Sequence, residues 1–334
     1  MRSKVLLPFA DPPYSIMYHG IAFPMGIIQA NAETDITPWL SSKYINCWFM
    51  PELDNQFAYY FSDHWATKEN ILIHQKVELY GELLDSLYGD VIALLRKMLD
   101  LGYYPHGDYN EECIPGKWSY QNRYFLHDFL LIGYDDQAQC FLSVGFVNNS
   151  HFQRFEIPYE CMRLAITTLK KPKIFINFWK YNPAARFDFC HGRFLSELSD
   201  YLHSKVSDGA FSKAGYWGMT ALRQLSEYFL DCCNEGNGLD IRYTRGLMEH
   251  KFYMQMRMEY LVNQGYVQDV GHLDNAKQVY QLAEKLHLLA MKYDFKRDKN
   301  IGLRICETVN RMLALEQAYL PSVLSDVRRC FGGV

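Results

Sequence analysis

The sequence predicts an α+β protein in two parts: residues 1–182 mix strands with helices, and residues 183–334 are wholly helical. Three observations predict it. Up to about residue 180, short apolar runs bounded by Gly, Pro, Asn or Asp alternate with stretches of helical spacing. From residue 186 onward, five successive segments repeat apolar residues at three- and four-residue steps. The chain has 334 residues, 49% of them apolar and 22% charged, an ordinary globular composition with length enough for more than one core.

The elements follow in order. "GIAFPMGIIQAN" (20–31) reads as a short buried helix. "YINCWFM" (44–50) and "QFAYYFSDHW" (56–65) read as strands, with "PELDN" as the loop between them. "VELYGELLDSLYGDVIALLRKMLDLG" (77–102) reads as a helix, because Leu83, Leu84, Leu87, Ile92, Leu95 and Met98 recur at helical steps and Gly102 is a natural stop. "FLHDFLLIGYDDQAQCFLSVGF" (125–146) reads as strand, turn, strand, with the turn at "GYDD". "IPYECMRLAITTLKK" (157–171) is then a helix and "KIFINFWKY" (173–181) a strand. The boundary falls near Asn182-Pro183.

The helices beyond it are "DFCHGRFLSELSDYLHSK", "GMTALRQLSEYFLDCC", "DIRYTRGLMEHKFYMQMRMEYLVNQG", "LDNAKQVYQLAEKLHLLAMKYDF" and "GLRICETVNRMLALEQAYL". In the third, Glu249, Lys251 and Arg257 read as a polar outer side. Tyr253, Met254, Met256, Met258 and Tyr260 fit a core, a homodimer seam or a ligand wall, with core favoured by their spacing.

Several function classes drop out. A net charge of −4 without a basic run argues against nucleic acid as a partner. No apolar stretch reaches the roughly 18 residues of a membrane span. The opening run Val5 to Leu7 is too short for a signal peptide. The nine cysteines are scattered, with no CxxC, and read as free thiols in a reducing cytoplasm. Glu249-His250 lacks the second histidine of HExxH, and GxxxxGK[ST], GxGxxG and GxSxG are all missing. No metal and no cofactor are therefore expected.

Cysteine and histidine remain. A thiol becomes a nucleophile when a nearby imidazole takes its proton and a third group orients the ring. His127 opens a strand, where a base is held still; it reads equally as an ordinary strand-edge histidine. By strand alternation, Asp128 points away from the side of the His127 ring.

The stretches "GYYPHGDYNEECIPG", "YFLHDFLLIGYDDQAQCFLSVGF" and "FEIPYECMRLAI" carry a resemblance. Gly102 to Asp108, Ile114-Pro115, His127, Gly133 to Asp136, Phe141 to Gly145 and Tyr159-Glu160 stand in the order found in papain-like proteins of the bacteriocin-peptidase type. They are most similar to the BtrH-like branch, the N-terminal type of the butirosin-biosynthesis acyltransferase, and the helical half resembles the part attached in that branch. The resemblance implies a papain-like N-terminal domain with an antiparallel sheet, followed by an all-α domain. It implies acyl transfer from an acyl- or peptidyl-carrier thioester to a small-molecule amine, or the related hydrolysis, in antibiotic and nonribosomal-peptide biosynthesis.

The family nucleophile is a cysteine at the start of the first helix, where this chain has Tyr18 and His19. The first cysteine is Cys47, in a segment that reads as a strand. The expected orienting carboxylate falls near Ser143, with Asn148 and Asn149 just beyond. The site expected from this resemblance is Cys47 as nucleophile (or a hydroxyl such as Tyr18), His127 as base and Asn148 as orienter. Tyr18, His19 and Asp108 would line the substrate, and Asp108, Glu111 and Glu112 read as a solvated acidic loop. The rival expectation is a non-catalytic binding or scaffold protein that assists a peptide synthetase; a simple peptidase is a third.

Overall fold

The computed structural model describes residues 2–51, 56–59, 65–80, 90–148, 151–171, 173–207 and 215–332. Its strands are β1 Lys4–Leu6, β2 Trp48–Met50, β3 Gln56–Ala58, β4 Leu72–Tyr80, β5 Tyr104–Asn110, β6 Leu126–Asp135, β7 Cys140–Val147, β8 His151–Pro158, β9 Lys173–Tyr181 and β10 Tyr216–Trp217. Its helices are α1 His19–Asn31, α2 Thr37–Leu40, α3 Trp65–Lys68, α4 Asp90–Asp100, α5 Tyr159–Thr167, α6 His191–His203, α7 Gly218–Glu235, α8 Ile241–Asn263, α9 Gly271–Lys296 and α10 Lys299–Phe331. The fold is α+β, an antiparallel sheet region followed by a helical region. No helix among the described residues is long and apolar enough to cross a membrane.

Two compact units emerge, and neither is one continuous stretch: residues 1–33 with 62–186, and 34–61 with 187–334. The expected division at 182/183 therefore places 34–61 on the wrong side. The reason is pairing. "YINCWFM" does form a strand, but β2 pairs with β3 and with β10, outside the large sheet. Polar anchors reinforce this. The Arg257 side chain donates to the carbonyls of Ser41 and Lys43, His250 donates to the Ile45 carbonyl, and Tyr59 donates to Glu249.

The sheet unit is ordered β4-β9-β5-β6-β7-β8, every pairing antiparallel. β1 pairs with the far end of β6, beyond the residues that β5 covers. One face carries the core: Tyr109, Phe129 and Leu131 pack with Leu95 and Leu99 of α4 and Met162 and Ile166 of α5.

The β6–β7 hairpin appears where the sequence places it, but its turn comes later. Gly133, Tyr134 and Asp135 remain in the strand because β1 pairs with them, and Asp135 accepts from the amides of Gln137 and Ala138 to close the turn. Gly133 is needed for the approach of β1: a Cβ there would overlap the Val5 carbonyl oxygen. Gly133→Ala is expected to destabilise the chain by about 1–3 kcal/mol, the cost of forcing a methyl group into packed structure, as a lower urea midpoint with an unchanged slope.

The expected helix over 77–102 is corrected at its start. Residues through Tyr80 belong to β4, which pairs along its length with β9; 81–89, with Leu83, Leu84 and Leu87, lie outside the described residues. The helix itself is α4, and Gly102 ends its last turn with φ +81°.

The helical unit contains the five expected helices. Glu249, Lys251 and Arg257 are not an outer side, however: all three are buried. Lys251 Nζ lies 2.7 Å from Glu316 Oε2, both side chains fully enclosed, and the Tyr201 hydroxyl joins both. Tyr253, Met254 and Met258 are buried too, as the core reading expects.

Candidate functional site

The site is built from α1, β5, β6 and the short turn Glu111–Cys113 that follows β5. His19 is the first residue of α1, placed there by Tyr18 in extended backbone at the N-cap. The β5–β6 register sets Asp108 opposite Asp128 and Tyr109 opposite His127. His106 lies two residues before Asp108, on the face that Asp128 shares.

Asp128 joins two histidines. Its Oδ1 is 2.7 Å from His19 Nδ1, and its Oδ2 is 2.8 Å from His106 Nε2. An ionised carboxylate only accepts, so both ring nitrogens donate. Burial opposes ionisation of Asp128, but the two histidines outweigh it and hold the carboxyl well below its usual range. Burial pushes His19 down, against the pull of Asp128. His19 Nε2 and His106 Nδ1 are buried without a hydrogen-bond partner. The His19 ring is stacked on Phe23 at 4.4 Å and the His106 ring on Trp179 at 4.4 Å.

A second set orients His127. Its Nδ1 is 3.0 Å from Glu111 Oε1, and Lys117 Nζ is 2.9 Å from the same oxygen. Lys117 also donates to the Phe146 carbonyl at 2.7 Å. Burial opposes the charge on Glu111, but His127 and Lys117 together hold its pKa below normal. Lys117 is itself pushed down by burial, with Glu111 working the other way. The His127 side chain is 37% exposed while Glu111 is 2% exposed, so the ring reaches solvent from a fixed base.

The two sets meet. The His19 and His127 rings are 5.0 Å apart, and His127 Nε2 lies 3.9 Å from Asp128 Oδ1. The expectation that Asp128 points away from the His127 ring is thus corrected: both side chains converge on His19 at the open end of β6.

Among the expected site residues, the structure brings His127 and His19 together, with Tyr18 adjacent in sequence. Asp108 forms a surface ion pair with Lys171 at 2.8 Å. Asn148 is exposed at the end of β7 with φ 50°, its amide bonded to Gly116, and does not orient His127; Glu111 does. Asn149 lies outside the described residues. Ser143 is buried and donates to the Leu130 carbonyl.

Cys47 belongs to the helical unit, whereas His127 belongs to the sheet unit. The Cys47 thiol faces the Gly218 carbonyl at 3.7 Å and is pushed up to about 12 by burial, the opposite of what a nucleophile requires. Among the described residues, the groups gathered at His127 are Glu111, Asp128 and the rings of His19 and Phe125, none of them a thiol. In the native protein, iodoacetamide at neutral pH is expected to label exposed Cys190 and Cys330 and to leave Cys47 unmodified, as read by peptide mass.

Sequence reasoning missed His106 and Lys117 and misplaced Asp128 and Glu111. Glu111 was legible only as part of an acidic loop, yet it is buried while its neighbour Glu112 is partly exposed. A cleft of about 410 Å³ opens beside the same turn, lined by Asn110, Glu112, Cys113, Tyr120, Tyr124 and Lys170 among others. His19, His127 and Asp128 each offer a ligand atom within 4.8 Å of the others, a grouping that no sequence motif announced.

Fold and site together define an α+β protein with a histidine–carboxylate centre on its sheet unit. No family model matches the chain, and no curated protein matches it.

Proposed function

We propose that the protein passes an acyl group from a carrier-protein thioester to an amine or to water, in antibiotic or nonribosomal-peptide assembly, without an acyl-cysteine intermediate. This reading takes the sheet unit as papain-like, in keeping with the resemblance over Gly102 to Glu160. It takes the compartment as cytoplasmic, in keeping with nine cysteines free of disulfides.

The observation that carries it is the His127 ring, fixed through Nδ1 by buried Glu111 and left with Nε2 to accept a proton. The amine nitrogen attacks the thioester carbonyl carbon, a C–N bond forms, and the amine proton passes to His127 Nε2. The C–S bond then breaks, and the departing thiolate takes that proton back, leaving an amide and a free thiol. With water in place of the amine, the products are an acid and a thiol.

One observation favours the scaffold reading as the second. The helix start where a thiol is expected carries His19, buried and bonded to Asp128. A centre so built can hold a carrier's cargo without turning it over.

The test is incubation with an acyl-carrier thioester and an amine, followed by intact-mass measurement. Conversion is expected with the unaltered chain and with Cys47→Ser, and is lost with His127→Ala. Binding without conversion by the unaltered chain supports the scaffold. Full conversion by His127→Ala overturns the acid–base reading.

A further inference from the structure

His19, His127 and Asp128 lie far apart in the sequence, on α1 and β6, and their arrangement has the features of a ligand set. Two imidazoles and one carboxylate are the donors by which zinc and related first-row ions are held when one coordination position stays open. We infer that this trio binds one divalent transition-metal ion of the zinc type. The inference stands apart from the proposed proton transfer: a bound ion would take up His127 Nε2, the nitrogen that the acid–base reading uses as proton acceptor, so the metal-loaded chain is expected to be silent in that reaction.

Two features support it. Ligand atoms around a tetrahedral ion with bonds of about 2.0–2.1 Å stand roughly 3.3 Å apart. The observed separations from Asp128 Oδ1, 2.7 Å to His19 Nδ1 and 3.9 Å to His127 Nε2, bracket that value, and all three ligand atoms lie within 4.8 Å of one another.

The outer partners are also in place. Metal-binding histidines give their other ring nitrogen to a carboxylate or carbonyl, and ligating carboxylates are themselves held. His127 gives Nδ1 to Glu111, which leaves Nε2 for the ion, and His106 holds the second oxygen of Asp128.

Binding needs one proton rearrangement: His19 takes the tautomer that bares its metal-facing nitrogen, its proton moving to the other ring nitrogen. Nitrogen donors select against magnesium and calcium, which take oxygen ligands. The open position leaves room for a water, and the 37% exposure of His127 gives access to solvent.

The test is titration of the chelator-treated full chain with ZnCl₂, read by calorimetry and by metal analysis after gel filtration. The expected result is one Zn²⁺ per chain, not displaced by excess Mg²⁺. His127→Ala is expected to weaken it by at least about 100-fold, and Asp128→Ala likewise. His127 is partly exposed, so its variant serves where loss of buried Asp128 impairs folding, with circular dichroism as the check. The exposed-site control His203→Ala is expected to bind as the unaltered chain does. Substitution with Co²⁺ is expected to give visible bands of a four-coordinate nitrogen–oxygen site. No binding, or Zn²⁺ retained with unchanged affinity by His127→Ala, overturns the inference. Conversion is assayed on the metal-free chain: a metal-free chain that converts no thioester overturns the acyl-transfer reading and leaves the metal assignment standing.

Discussion

His127→Ala is expected to slow thioester conversion by about 100- to 10,000-fold, the usual contribution of a positioned proton-transfer group. The loss should fall on kcat with little change in KM, because the imidazole acts on the reacting proton and not on the carrier surface. Glu111 makes the effect specific. It fixes the His127 ring through Nδ1, and it is itself neutralised by Lys117, so the ring is presented in one orientation. Cys47→Ser supplies the contrast. Cys47 is buried in the helical unit with its thiol pushed up to about 12, so its replacement is expected to leave kcat within about twofold. A large drop with Cys47→Ser and none with His127→Ala would restore the thiol mechanism and sink the one proposed here. Steady-state kinetics on the same carrier thioester decides between them.

Lys251→Met is expected to destabilise the protein by about 3–5 kcal/mol, the cost of leaving a buried charge without its partner. Lys251 and Glu316 are both fully enclosed, joining α8 to α10, with the Tyr201 hydroxyl bonded to each. Removal of the ammonium leaves the buried Glu316 carboxylate with the Tyr201 hydroxyl but without its cation. The double variant Lys251→Met with Glu316→Leu removes both charges and is expected to recover most of the loss. The residue is the Tyr201 hydroxyl, which loses its partners at about 1–3 kcal/mol. Urea unfolding of the two variants checks this. A double variant no more stable than the single one would show that the pair contributes more than relief of its own burial.

The same pair shows why part of the structure was hidden in the sequence. Lys251, Glu249 and Arg257 read as a solvated face because charge on a long helix is usually on its outer side. Each instead meets a polar partner far along the chain: Glu316 for Lys251, the Tyr59 hydroxyl for Glu249 and the Ser41 carbonyl for Arg257. Periodicity reports which face is apolar and is silent on a charge whose partner arrives from elsewhere. The helices and the β6–β7 hairpin were legible because their determinants are local. The pairing of "YINCWFM" was not, because strand propensity names a strand without naming its neighbour.

The site divides in the same way. His127 was legible from its place at the head of an apolar strand, and His19 from the slot it fills at the head of α1. Asp128 was visible but misdirected, since strict alternation describes the interior of a strand better than its open end. Glu111 was passed over because three acidic residues near one another read as surface; its burial follows from the ammonium of Lys117. Cys47 attracted attention only because a thiol was sought, and its surroundings make it a small apolar side chain.

The segment 34–61 also has a consequence for the order in which the chain is completed on the ribosome. Its polar anchors and the third strand of its small sheet are supplied by Glu249, His250, Arg257 and β10, all in the second half. During synthesis the strand around Trp48 and Phe49 therefore emerges early and is sealed late, after the sheet unit has been made in full. Until Tyr216 and Trp217 are made, an apolar edge stands without its neighbour, the kind of nascent surface that holding chaperones shield.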